Sequence, residues 1–130
     1  MREKQAMAAD PLTGQRVLVV EDDYFIASDL EQELVAAGAT VVGPVPSVDA
    51  ALNLLAEDRP DAAILDVYLC DERVFPVADA LVSDGVPFFF MSGYDRRGMP
   101  ERYAFARWLH KPLEPRKMMS ELRRLLDRAA

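Results

Sequence analysis

The chain has 130 residues, of which 51 % are apolar and 28 % charged, enough for one globular domain with a real core. Its net charge of −7 argues against wide nucleic-acid contact, which rests on neutralising phosphates. A single cysteine, Cys70, excludes an internal disulfide or a cysteine-based metal site, and the expected location is the cytoplasm, since no apolar run approaches the ~18 residues of a membrane helix and the first ten residues lack a signal-peptide core.

Residues 1–14 read as a mobile lead-in, closed by Pro11 and Gly14, to a domain over 15–130. Arg16–Val20 is the first expected strand. Asp23 to Ala37 carries Ile26, Leu30, Leu34 and Ala37 at helical spacing, and Gly38 suits the end of that helix. Thr40–Pro44 is rich in β-branched residues and reads as the second strand. Ser47 is a good N-cap for a helix over Val48–Glu57, with Pro60 just beyond it. Asp61–Asp66 is the third strand. Pro76 fits a first helical turn and not a helix interior. That makes Val67–Phe75 a loop and Pro76–Asp84 a short helix. Val86–Met91 is the fourth strand. Gly98 and Pro100 limit the stretch between Ser92 and Trp108 to one or two helical turns. Phe105–Leu109 is the fifth strand, and Pro115 opens a last helix with Met118, Leu122, Leu125 and Leu126 facing in. Strand and helix alternating in this way predict an α/β fold: a five-stranded parallel sheet, doubly wound and flavodoxin-like, with shortened third and fourth helices.

Open sheets of this kind gather their chemistry at the carboxyl ends of the strands. There the first strand leads into Glu21-Asp22-Asp23, the third into Asp66, the fourth into Ser92-Gly93 and the fifth into Lys111-Pro112. Carboxylates brought close together repel, and a hard cation relieves the conflict. Mg²⁺ takes oxygen ligands, commonly one or two carboxylates and several waters. Asp22 and Asp66 are the expected direct ligands, Glu21 reaches through water, and the Tyr68 backbone carbonyl can add an oxygen. Asp66 is the expected nucleophile, since a carboxylate can accept a phosphoryl group as an acyl phosphate. Mg²⁺ and Lys111 supply positive charge, and Ser92 supplies a hydroxyl. Each element alone has a bland reading: Asp23 as a helix cap, Lys111 as a surface lysine, Trp108 as core packing, Cys70 as inert loop packing. His110, the only histidine, reads as a surface or edge residue, so any phosphohistidine belongs to another protein.

These residues together resemble the CheY-like receiver domains of two-component response regulators, from Arg16 to about Arg128. The motif set is an acidic pair after strand one, Asp after strand three, Ser after strand four and Lys-Pro after strand five. The resemblance implies an acidic Mg²⁺ pocket at Glu21 and Asp22. It implies phosphorylation of Asp66 by a sensor histidine kinase or a histidine phosphotransfer protein, and a switch pair of Ser92 and Lys111. A cis peptide between Lys111 and Pro112 is implied as well. Tyr68 and Tyr94 stand two residues after Asp66 and Ser92, where the family often sets the lifetime of the phosphoryl group. Trp108 stands where Tyr or Phe is more usual, at the position the resemblance assigns to a switch aromatic. The expected protein is a phosphoacceptor that docks a downstream protein target, as a stand-alone receiver or a piece of a longer chain. It is not expected to be an enzyme beyond slow self-dephosphorylation, nor to bind nucleic acid or membrane. Two rivals stay open: a receiver-like module that binds partners without phosphorylation, and a small aspartyl phosphatase. A flavodoxin-like cofactor protein is set aside, because Glu21-Asp22-Asp23 opposes a phosphate loop in charge.

Overall fold

Apolar runs with alternating sides form the centre of the molecule. The computed structural model describes residues 11–129. Five parallel strands, β1 (Arg16–Val20), β2 (Thr40–Val45), β3 (Ala62–Asp66), β6 (Phe88–Ser92) and β7 (Trp108–His110), make one sheet in the order β2-β1-β3-β6-β7. Helices α1 (Tyr24–Ala36) and α4 (Pro115–Ala129) cover one face; α2 (Val48–Glu57) and α3 (Phe75–Ser83) cover the other. Side-chain alternation feeds both cores. Val17, Val19, Ile64, Phe89 and Met91 point toward α1 and α4, while Leu18, Val20, Leu65, Phe88 and Phe90 point toward α2 and α3. Such strands read as unbroken apolar runs because both faces are covered.

The helix caps act as the sequence suggests. Asp23 accepts hydrogen bonds from the Phe25 and Ile26 N–H groups at 2.9 and 3.1 Å. Ser47 accepts one from Ala50 N–H at 3.1 Å. The second strand runs one residue past Pro44 because its pairing with β1 shifts at Gly43. Gly43 has φ +95°, and a Cβ there would lie 2.9 Å from Val45 N. After this irregularity the Val45 carbonyl accepts the Glu21 N–H at 3.0 Å, which anchors the first site residue.

Three expectations are corrected. The lead-in docks from Pro11 onward: Leu12 is fully buried, and its N–H donates to the Ala37 carbonyl at 3.0 Å. Residues 1–10 lie outside the described residues. The stretch Val67–Phe75 is not a plain loop. It contains an antiparallel pair, β4 (Tyr68–Leu69) and β5 (Glu72–Arg73), closed by a Val74 N–H to Val67 carbonyl bond at 3.1 Å. Buried Val67, Leu69 and Val74 hold it down, and Glu72 accepts the Val48 N–H at 3.0 Å as a second cap on α2. The β6 and β7 strands begin later than their apolar runs, so Ser92 is the last residue of β6 and Phe105 lies outside β7, 68 % exposed. The segment between them keeps to the expected limit, with one 3₁₀ turn, Glu101–Tyr103.

Tyr103 fills the space above that face of the sheet. Its ring is buried, stacks on Phe75 at 5.7 Å and meets Phe90 edge-on at 5.4 Å. Its hydroxyl donates to Asp79 on α3, which also pairs with Arg102 at 3.0 Å. Burial, with the Asp79 charge adding, pushes the phenol up to about 12. Tyr103→Ala should therefore cost about 3–5 kcal/mol in urea unfolding. The raised pKa makes this tyrosine's contribution complete below about pH 10 and lost as pH rises toward about 12. Stability measured across that window should fall more steeply for the wild type than for Tyr103→Phe.

Candidate functional site

Four neighbouring strand ends, β1, β3, β6 and β7, bring the site residues together. Val20 pairs with Leu65, and Asp66 pairs with Met91, so the chain leaves β1 and β3 side by side. Ser92 pairs with His110, and Lys111 follows. Glu21, Asp22 and Asp66 each offer a carboxylate oxygen within 4.8 Å of the others. Glu21 and Asp66 are buried, and Asp22 is exposed. The Lys111 ammonium lies 2.8 Å from Glu21 Oε1 and 3.1 Å from Asp66 Oδ2. Glu21 Oε2 accepts the Asp23 N–H at 3.0 Å. The Tyr68 N–H reaches Asp66 Oδ1 at a long 3.4 Å. Ser92 is buried; its carbonyl accepts the Lys111 N–H at 2.9 Å and its Oγ accepts the Tyr94 N–H at 3.0 Å. The Lys111–Pro112 peptide is cis.

The charges do not balance. Burial raises the Glu21 pKa and Asp66 pushes the same way, while Lys111 and the Asp23 N–H oppose them. Partial burial and the neighbouring Glu21 raise Asp22. Burial works to lower Lys111, but its hydrogen bond to Glu21 and the charge of Asp66 outweigh that and raise it. Three carboxylates thus share one ammonium. Glu21 Oε1 is buried with no well-formed hydrogen bond, its ammonium contact aside. An all-oxygen set with surplus negative charge fits a hard divalent cation such as Mg²⁺.

No family model matches the chain. It is 32 % identical over 113 residues to the phyllosphere-induced regulator PhyR of Methylorubrum extorquens, an alignment covering 84 % of this chain and 42 % of that protein. It is 32 % identical over 120 residues to the response regulator MprA of Mycobacterium ulcerans, covering 87 % of this chain and 50 % of that protein. SdrG of Sphingomonas melonis Fr1, in its solution structure, is 37 % identical with a TM-score of 0.75, across 89 % of this chain and 98 % of that one. The chain belongs to the CheY-like receiver domains of response regulators. It spans about half the length of the curated relatives it matches.

In this receiver domain the two expected tyrosines pack on each other and the expected tryptophan packs on the core. Tyr68 and Tyr94 meet edge to face, with ring centres 4.9 Å apart. The Arg73 guanidinium lies 4.2 Å from the centre of the Tyr68 ring. Trp108 is half-buried on β7 against Phe90 and the core beneath α3, with the Arg96 guanidinium 5.7 Å from its ring centre. Its Nε1–H is buried without a hydrogen-bond partner. Arg73, Arg96 and Glu72 escaped the sequence reading, since nothing in their spacing marks them. His110 and Cys70 are exposed. Among the described residues, no helix is long and apolar enough to cross a membrane.

Removing the ammonium leaves two buried carboxylates facing each other. Lys111→Ala should lose about 3–5 kcal/mol in denaturant unfolding without divalent cation. Added Mg²⁺ should restore more stability to this variant than to Lys111→Ala carrying Asp22→Ala as well. Equal responses to Mg²⁺ would count against the acidic group as the cation site.

Proposed function

We propose that this receiver domain accepts a phosphoryl group on Asp66 and uses it to change a protein contact. The observation that supports the reading is the ammonium of Lys111 held within 3.1 Å of the Asp66 carboxylate, beside two further acids. In the transfer, an Asp66 oxygen attacks phosphorus. The new O–P bond forms as the N–P bond to a donor imidazole breaks, and that imidazole takes up a proton. Such a transfer is mostly positioning and charge stabilisation. The residues that would hold Mg²⁺ are Asp22 and Asp66 directly and Glu21 through water, with the Tyr68 carbonyl as a further oxygen; when bound, the ion offsets charge on the transferring oxygens.

Afterwards Lys111 keeps the phosphoryl group's charge paired. Ser92 Oγ, already accepting from Tyr94 N–H, has its own proton to give to a phosphoryl oxygen. Movement of Ser92 thus carries the Tyr94 backbone with it. A phospho-residue brings about −1.5 to −2 charges, enough to bias an existing equilibrium between two loop arrangements. Tyr68 and Tyr94, packed on each other, screen the acyl phosphate from attacking water. Trp108 takes its place at the edge of that change. The donor is a histidine kinase or phosphotransfer protein, and the output is a protein target. The domain turns nothing over beyond its own slow dephosphorylation. A phosphatase reading is disfavoured because Glu21, the buried carboxyl beside the nucleophile, accepts from the Lys111 ammonium and the Asp23 N–H on its two oxygens and is held there as an acceptor, not a proton donor.

Incubation with acetyl phosphate and Mg²⁺, followed by intact-mass measurement, should show one added phosphoryl group, absent in Asp66→Asn and without Mg²⁺. An unchanged mass in the wild type, or the same gain in Asp66→Asn, would contradict the proposal. In the same assay, the Tyr68→Ala, Tyr94→Ala double variant should lose its label severalfold faster than the wild type.

A further inference from the structure

The residues after Asp66 form a hairpin that turns at Cys70 and Asp71. Buried Val67, Leu69 and Val74 pin its backbone to the core, and Glu72 ties it to the start of α2 through the Val48 N–H. Antiparallel pairing sets Arg73 opposite Tyr68, and directly opposed residues share one face of the pair. Arg73 is exposed and makes no ion pair among the described residues. Its guanidinium has open water to reach into, yet it lies over the Tyr68 ring, 4.2 Å from the centre. A cation in that place is attracted by the negative face of the ring. Tyr68 in turn meets Tyr94, with ring centres 4.9 Å apart. Tyr94 is 66 % exposed, so the core does not hold its ring, and its N–H is bound by Ser92 Oγ. The contacts from Arg73 to Tyr68 to Tyr94 therefore join the loop that follows Asp66 to the loop that follows Ser92.

We propose that Arg73 is a positioning residue that sets the lifetime of the phosphoryl group by holding Tyr68 in place. The proposal rests on Asp66 as the phosphoacceptor. In hydrolysis of the acyl phosphate, a water oxygen forms the new bond to phosphorus as the bond to Asp66 breaks. Asp66 leaves as a carboxylate, and the water's protons pass to the released phosphate. The attacking water must come in line with the Asp66 oxygen. The Tyr68 and Tyr94 rings screen it only while they keep their places. Tyr68 is half-buried and Tyr94 exposed, so the pair needs a hold from outside the core. Arg73 supplies it from a pinned hairpin: its charge attracts the ring, and its flat guanidinium stacks on it as a lysine ammonium does not. Arg73 makes no ion pair with Asp66, so its action on the site runs through the ring.

The test compares the wild type with Arg73→Ala, Arg73→Lys, Tyr68→Ala and the variant carrying both alanines. Each is labelled with acetyl phosphate and Mg²⁺, freed of the donor, and followed by intact mass as the label is lost. Arg73→Ala should lose it about two- to fivefold faster than the wild type, the range an exposed cation–π contact supports. Arg73→Lys should fall between the two. Once Tyr68 is alanine, removing Arg73 should change nothing further, a coupling that a general effect on folding does not produce. Equal rates in the wild type and Arg73→Ala would overturn the proposal and leave Asp66 standing as the phosphoacceptor. So would the same acceleration with and without the Tyr68 ring. A wild type that takes up no label would contradict the phosphoacceptor reading itself, and this proposal with it.

Discussion

One ammonium between two buried carboxylates holds the site in shape. Lys111 arrives from the end of β7, Glu21 from β1 and Asp66 from β3, and each sits where an apolar strand has just run out. With β1 beside β3 and only β6 between β3 and β7, the sheet brings the charges together at one edge. The charges cannot remain together, out of water, without the ammonium. Even then the acids outnumber it, which leaves the edge poised for a cation. On the proposed function, the same contacts that keep the protein folded also prepare Asp66 for chemistry.

The rest of the fold shows how little scaffold that arrangement needs. Where a longer fourth helix would cover the sheet, this chain uses one 3₁₀ turn and the ring of Tyr103. The aromatic cluster with Phe75, Phe88 and Phe90 supplies the burial. The bonds from Tyr103 and Arg102 to Asp79 tie the segment to α3. A surface built by a single side chain on a loop differs in shape from one built by a helix. Any protein that reads this face meets Phe105 and the half-buried Trp108, not a helical ridge.

Sequence reading worked where a strong pattern and a simple rule coincide. The continuous apolar runs gave away the buried strands, and the residues following them showed which charged side chains the fold gathers, because strand ends converge in this architecture. Asp23 and Ser47 were legible as caps from position alone. What escaped was short or non-local. Two-residue strands such as Tyr68–Leu69 and Glu72–Arg73 are too brief for alternation to register. The late start of β7 was hidden because Phe105 looks like strand in composition yet stands in solvent. Leu12 reads as part of a tail until its contact with α1 is seen. Arg73 on Tyr68 and Arg96 on Trp108 join residues whose sequence spacing carries no signal.

The central claim is that the carboxylate held by Lys111 is the one that becomes an acyl phosphate. Borohydride reduction of freshly phosphorylated protein, followed by peptide sequencing, reads this out directly, since reduction turns an aspartyl phosphate into homoserine. The account predicts homoserine at position 66. Homoserine at Asp22 or Asp23, or none in protein that has gained a phosphoryl group, would contradict it.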